Sequence, residues 1–136
     1  MEFTISQEQG RVTVTVLHLN GRVDGSNYES VFGKARELYD GGARDLLLDL
    51  SEVSFISSAG IVALHRISLL FRGEKVDENE TGWNAMHGVE REQGGATQQH
   101  VKLFNPRPEV DYTLDLAGFK RYFDIFTDLQ QAVAAF

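Results

Sequence analysis

The feature that most constrains the fold is an apolar strand that leads, through residues 51–56 and then four small residues, into an apolar helix. Residues 45–50, DLLLDL, form a continuous apolar run, which is typical of a central strand covered on both faces. After SSAG at positions 57–60, few positions of the next helix are polar, so we expect it to be largely buried. Its apolar residues are Ile61, Val62, Leu64, Ile67, Leu69, Leu70 and Phe71.

Two strand patterns and one helix pattern precede this unit. Residues 3–5 alternate apolar and polar side chains, and the VTVTV run at 12–16 predicts a half-buried strand, so we expect a hairpin. In the helix that follows, Ser26 is the predicted N-cap and the glycine pair at 41–42 its end. Its apolar stripe consists of Tyr28, Val31, Phe32, Ala35, Leu38 and Tyr39.

The C-terminal third continues the alternation of strands and helices. HVKLFN at 100–105 and YFDIF at 122–126 predict strands, and Pro108 and Gly118 mark the two ends of a helix between them. A capping-box pattern at 127–130, with Thr127 as N-cap, opens a final helix. The fold class is therefore α/β: after the N-terminal hairpin we expect a mixed, mostly parallel sheet of about five strands, with about four helices packed against it.

Residues 73–99 differ in character from the rest of the chain. They hold five glycines and six acidic residues against two basic ones, a net charge of −4 out of the total of −7. Such a segment buries too little apolar surface to offset its ordering entropy, so we predict a mobile insertion at about 73–99 within a single domain, 1–136. Trp83 and Met86 are candidates either to anchor a partner or to pin the insertion onto its own domain.

Composition narrows the classes of function. A chain of 136 residues can bury a core as one domain, and no apolar run approaches the ~20 residues of a membrane span. The acidic start MEFTISQEQG does not resemble a secretory signal, and the absence of cysteine suits a reducing cytoplasm, where we expect the protein to reside. The net charge of −7 disfavours a nucleic-acid partner.

The serines between strand and helix have two readings. Ser58, as the predicted N-cap of the helix, either only satisfies backbone N–H groups or accepts a phosphate, which the positive end of the helix tolerates. A hydrolase is not predicted, because ISSAG lacks the glycine before a nucleophilic serine and His65 is expected on the helix surface. The histidines show no metal-ligand spacing, and no cofactor is predicted; they are His18, His65, His87 and His100.

Four segments resemble the STAS domain of bacterial anti-sigma factor antagonists. DLSEVSFISSAGIVAL is similar to the family's strand-Ser-x-Gly-helix junction, and LNGRVDGSNYESV to its turn before the first helix. LDLAGFKRYFDIF resembles its turn before the last strand, and TDLQQAVAAF its terminal helix. The resemblance covers about residues 1–72 and 100–136, and the insertion lies outside the compact family pattern.

The resemblance implies partner switching. An anti-sigma factor with serine kinase activity would phosphorylate Ser58, the unphosphorylated chain would bind that kinase and free the sigma factor, and a PPM-type phosphatase would reset the switch. The partner-binding surface implied is Ser57, Ser58, Ala59 and Gly60. Asp24 would lie near Ser58 and contribute to the rim of this surface or to phosphotransfer, or it is only a turn or helix-entry acid. The usual family pattern is Asp-Ser-Ser/Thr-Gly, whereas here Ser57 and Ala59 stand at the acid and second hydroxyl positions. The alternative is an unphosphorylated STAS subunit or ligand-sensing module of a transport or signalling complex.

Overall fold

The structure is a computed structural model, and it describes residues 1–73 and 98–136. Within these ranges the chain forms five strands and five helices. The elements are β1 (Glu2–Gln9), β2 (Thr13–Val23), α1 (Tyr28–Asp40), β3 (Leu46–Ile56), α2 (Ser58–Phe71), β4 (Gln98–Phe104), α3 (Pro108–Leu116), α4 (Phe119–Tyr122), β5 (Phe123–Phe126) and α5 (Leu129–Ala134).

The strands form one mixed sheet in the order β1-β2-β3-β4-β5. β1 and β2 are an antiparallel hairpin, and β3, β4 and β5 each run parallel to the strand before them. Each parallel pair is joined through a crossover, as parallel strands require. The predicted α/β class, the opening hairpin and the five-stranded sheet are confirmed, and the expected four helices become five because α4 is an additional short one.

β3 lies at the centre of the sheet, and its first half, residues 46–50, is covered on both faces, as the apolar run predicts. Leu46, Leu48 and Leu50 pack into the larger core cluster, together with buried residues of α1 and α2. Leu47 points to the other face and packs in a smaller cluster with Ala132 and Val133 of α5. The layers on the two faces therefore explain why Leu46, Leu47, Leu48 and Leu50 are apolar, whereas the second half of the strand carries exposed and polar residues.

β2 is also covered on both faces, so the prediction of a half-buried strand was wrong. Val14 and Val16 pack in the α5 cluster, while Leu17 and Leu19 pack in the larger one. The strand begins at Thr13, and Val12 outside it is exposed. Alternation in residues 12–16 suggested a polar face because threonine, which packs well in a strand, counts as polar in the pattern.

Two predicted helix caps were wrong by one residue. α1 has Asn27 at its N-cap, because both the backbone N–H and the hydroxyl of Ser26 donate to Asp24 Oδ1 (2.9 and 2.5 Å). α5 is capped by Asp128, whose carboxylate accepts a hydrogen bond from Gln131 N at 2.9 Å, and Thr127 lies outside the helix.

The C-terminal boundaries also shift. The predicted insertion ends too late, because β4 begins at the buried Gln98 rather than at residue 100. Gly118, with φ of 80°, turns the chain out of the third helix, and residues 119–122 form the short α4 before β5. The left-handed backbone at Gly118 is the reason that glycine suits this position.

α2 is buried round most of its surface, as expected. This includes His65, which is 2% exposed, so its predicted place on the helix surface was wrong. The predicted mobility of the insertion, and the roles considered for Trp83 and Met86, lie outside the described residues. A membrane-spanning helix needs about 20 apolar residues, and no helix in residues 1–73 or 98–136 meets that requirement.

Candidate functional site

The junction between β3 and α2 places two serines in different roles. Ser57 is the N-cap: its backbone is extended, with φ −91° and ψ 177°, and its hydroxyl accepts from Gly60 N at 3.4 Å. The N–H of Ser57 donates to Val23 O at 2.9 Å, which ties the junction to β2. Ser58 is the first residue of the helix and is exposed, so its prediction as the N-cap was wrong.

Gly60 lets the start of α2 approach the sheet closely. A Cβ atom built on this residue would lie 2.5 Å from Ile56 Cγ1, 3.0 Å from Val23 Cγ1 and 3.1 Å from Val23 O. The last of these is a backbone atom, which cannot rotate away. A residue without a side chain is therefore required at position 60. The close approach that it permits keeps Ser57 and Ser58 next to the ends of β2 and β3.

Asp24 leaves the sheet at the same edge as Ser57. Val23 and Ile56 are paired in the parallel register of β2 and β3, and Asp24 and Ser57 are the residues that follow them. The carboxyl ends of neighbouring parallel strands meet at one edge. The structure thus brings Asp24 to the end of the sheet from which α2 starts.

The carboxylate of Asp24 is held by its own turn. Hydrogen bonds from the hydroxyl and N–H of Ser26, and the Arg22 guanidinium 3.8 Å away, lower the pKa of Asp24 below its usual value. The backbone of Asp24 accepts from Asn27 N and Tyr28 N at the start of α1. Asp24 is therefore an anionic turn residue with a structural role of its own.

An exposed aromatic residue beside this edge was not predicted. Phe55 is 39% exposed, and the Arg22 guanidinium lies over its ring, 4.6 Å from the centroid. The two residues pair in the register of β2 and β3, one position before Val23 and Ile56. The sequence signal that could have identified Phe55 is an aromatic residue near the end of a predicted strand, shortly before the two serines. Arg22, Phe55 and Asp24 together give this edge a surface that is both charged and apolar.

The described residues do not build a metal site. No group of three His, Asp or Glu side chains in residues 1–73 and 98–136 could hold a metal ion. His18 and His100 instead pair with single carboxylates, Asp49 at 2.6 Å and Asp45 at 3.0 Å. His87 lies outside the described residues.

These features define a class: a mixed α/β sheet whose central strand leads through small hydroxyl residues into a buried helix. The STAS domain family model matches residues 5–77, more than half of the chain. The chain therefore belongs to the STAS domain family.

Solved structures share this fold across most of the chain. One is a Thermotoga maritima protein assigned as an anti-sigma factor antagonist, with 18% identity and a TM-score of 0.69; the alignment covers 96% of this chain and 90% of that one. Another is an anti-sigma factor antagonist from Mycobacterium paratuberculosis, with 17% identity, a TM-score of 0.64, and 98% and 93% coverage.

The fold is also that of SpoIIAA, an anti-sigma factor antagonist and Bacillus cell fate determinant. Its unphosphorylated form has 16% identity and a TM-score of 0.57, with 97% of this chain and 93% of that chain covered. Its phosphorylated form has also been solved, with a TM-score of 0.53. No curated protein matches the chain significantly by sequence.

Proposed function

We propose that this protein is an anti-sigma factor antagonist that acts by partner switching. The unphosphorylated chain binds an anti-sigma factor with serine kinase activity through the start of α2 and so frees a sigma factor for transcription. Phosphorylation of Ser58 releases the partner, and a PPM-type phosphatase resets the switch. Neither step is catalysed by this chain, which acts as a regulatory binding protein in the cytoplasm.

The observation that carries the proposal is the exposed Ser58 at the first position of a STAS-type α2. Its neighbour Ser57 makes the capping hydrogen bond, so modification of Ser58 does not remove the cap. The first N–H groups of a helix lack intrahelical partners, and the helix dipole favours an anion there. A phosphate of about −1.5 to −2 charges can therefore be added while the fold is kept. SpoIIAA, which has the same fold, has structures in both forms.

The effect of the phosphate is on the surface. Ser57, Ser58 and Ala59, followed by the buried Gly60, form a patch of small side chains over which a partner can pack closely. A dianion on Ser58 adds bulk and a charge that must lose its hydration when the patch is covered. Asp24, at the same edge of the sheet, supplies a fixed negative charge at the rim for a basic group of the partner. Repulsion of a bound partner is thus the expected result of phosphorylation.

A second function is favoured by one departure from the family pattern. Ser57 stands where the family usually has an acid, and the Asp24 carboxylate is engaged by Ser26. A STAS chain without that acid could be an unphosphorylated subunit or ligand-sensing module of a transport or signalling complex. Neighbouring genes distinguish the two: a kinase and phosphatase pair supports the switch, and transporter components support the subunit.

The experiment is a capture of partners from an extract of the native cells. Immobilised Ser58→Ala protein should retain a protein with a kinase domain, and Ser58→Asp should retain much less. An unpaired buried charge costs about 2 kcal/mol, which is roughly thirtyfold in affinity. Ser54→Asp, a charge at an exposed position of β3, is the matched control and should bind like the wild type. Equal capture by Ser58→Ala and Ser58→Asp would contradict the switch and favour the subunit.

A further inference from the structure

Three polar side chains on adjacent strands form a continuous chain of hydrogen bonds across the sheet. Ser6 of β1 places its Oγ 2.9 Å from Nε2 of His18 on β2. The other ring nitrogen of His18, Nδ1, lies 2.6 Å from Oδ2 of Asp49 on β3. His18 and Asp49 are direct register partners, and they lie on the face that carries α5.

In the neutral form of His18, the partners determine which ring nitrogen carries the proton. A carboxylate only accepts hydrogen bonds, so Asp49 requires the proton of neutral His18 on Nδ1. Nε2 then carries the lone pair and accepts from the hydroxyl of Ser6. This is the arrangement in which an imidazole acts as a general base toward a serine.

Asp49 is itself held in place. Its second oxygen, Oδ1, accepts from the N–H of Ser51 at 3.0 Å and from the hydroxyl of Ser51 at 2.7 Å. The Asp49 side chain is 13% exposed and that of His18 38%, and Ser6 is exposed at the surface. The acid is therefore shielded and oriented, and the serine is open to a reagent from solvent.

We propose that Ser6 is a nucleophilic serine, activated by His18 and Asp49, which is acylated by activated acyl donors. Ser6 Oγ attacks the carbonyl carbon of an activated ester while its proton passes to His18 Nε2. The bond from the carbonyl carbon to the leaving oxygen breaks, the proton moves from Nε2 to the alcohol released, and Ser6 keeps the acyl group. His18 is neutral again, and no oxidant or further reactant is needed.

The proposal concerns formation of the acyl-serine and not turnover. Rapid hydrolysis of the acyl group would also require preorganised donors for the oxyanion. The expected behaviour is thus stoichiometric modification of one serine. It is independent of partner switching, because Ser6 lies on β1 and Ser58 at the start of α2.

The test uses p-nitrophenyl acetate with the full chain, acid quenching, and peptide mapping of acetylated residues over time. Exposed Ser54, whose side chain makes no hydrogen bond with residues 1–73 or 98–136, is an internal reference in the same sample. Ser6 should be acetylated at least tenfold faster than Ser54, since a positioned general base contributes about 10²–10⁴-fold. Equal rates at Ser6 and Ser54 would overturn the proposal without any variant.

Variants test whether Ser6 reacts because His18 activates it or only because it is exposed. His18→Gln keeps a side chain able to hydrogen bond with Asp49 but removes the base, so acetylation of Ser6 should fall to the rate of Ser54. Circular dichroism shows whether the variant is folded; if it is not, Asp49→Asn, which no longer requires the proton on Nδ1, takes its place with the same expected loss. A folded variant that still acetylates Ser6 at the wild-type rate would show that the three side chains only brace the sheet.

Discussion

Ser57 and Ser58 are adjacent in the chain, yet only the first contributes to the start of α2 through its side chain. The capping bond of Ser57 is long, 3.4 Å, so its loss should cost toward the lower part of the usual range for a cap. Ser58 has an exposed side chain at a position where an acid complements the helix dipole. The two residues can therefore be separated by their effects on stability.

We expect Ser57→Ala to lower the free energy of unfolding by about 0.5–1 kcal/mol. Ser58→Ala should remain within about 0.5 kcal/mol of the wild type, and Ser58→Asp should equal or exceed it by about 0.3–1 kcal/mol. Urea unfolding of the three variants measures this. A larger loss for Ser58→Ala than for Ser57→Ala would contradict the assignment of the cap.

The stability of the protein should depend on pH in the acid range because of the Asp24 carboxylate. The pKa of Asp24 is lowered in the folded state, chiefly by the hydrogen bond from the Ser26 hydroxyl. The ionised carboxylate therefore stabilises the fold at pH values above 3.8, the ordinary pKa of this group. That stabilisation is lost as the pH falls below 3.8 and through the folded-state pKa. Wild type should therefore be more stable than Asp24→Asn at pH 7, and the difference should vanish in strong acid. A difference that stays constant with pH would show that the stability depends on the shape of the Asp24 side chain and not on its charge.

At the scale of elements, Gly60 controls how closely α2 packs on the sheet. An alanine at this position would meet Ile56 and the backbone of Val23, so we expect Gly60→Ala to destabilise the protein by about 1–3 kcal/mol. Gly33 is the matched control: it lies inside α1, and a Cβ there meets nothing within 4 Å. Gly33→Ala should raise stability by about 0.5–1 kcal/mol. Chemical denaturation compares them, and equal effects of the two variants would contradict the close packing of α2.

Most elements could be predicted from periodicity, because the signals are local. The continuous apolar run of β3 and the apolar stripe of α1 depend only on which faces are covered. The burial of both faces of β2 could not be predicted in this way, since it depends on α5, which is more than a hundred residues later in the chain. The caps at Ser26 and Thr127 failed because several neighbouring residues can cap, and side-chain contacts decide among them.

At the candidate site, too, local signals could be predicted from the sequence and contacts between strands could not. The junction residues 57–60 were predicted as a site because they are small residues between a buried strand and a buried helix, in a segment that resembles the family's junction. Arg22 and Phe55 were missed, since their contact arises only when β2 and β3 lie side by side in parallel. The roles of Ser58 and Asp24 in binding stay predictions.

At the scale of the whole molecule, a polar network joins the described residues on either side of the segment at 74–97. The amide of Gln98 in β4 donates to the carbonyl oxygen of Ser68 at 2.8 Å and to its hydroxyl at 3.2 Å. The Ser68 hydroxyl also forms a hydrogen bond with the Tyr122 hydroxyl. The Tyr122 hydroxyl in turn accepts a hydrogen bond from the Arg72 guanidinium at 3.1 Å. The end of α2, the start of β4 and α4 are thus joined by side-chain hydrogen bonds.

We therefore expect residues 74–97 to be replaceable by a short Gly-Ser linker if Gln98 is kept. Each doubling of loop length costs only about 0.6 kcal/mol, so the melting temperature should stay within a few degrees. Gln98→Ala in the full chain should cost about 1–3 kcal/mol, because buried partners lose a hydrogen bond. Thermal unfolding of both proteins tests this. Collapse of the fold in the shortened protein would show that the segment contributes to the core, against the prediction of one domain with an accessory insertion.

Partner switching at Ser58 is tested most directly by intact mass and phosphosite mapping of the protein from its native cells, with the free and the partner-bound fractions analysed separately. We expect the free fraction to contain chains with one phosphate on Ser58 and none on Ser57, and the bound fraction to be unphosphorylated at both. Equal occupancy of Ser58 in the two fractions, or a phosphate found only at other residues, would contradict the switch.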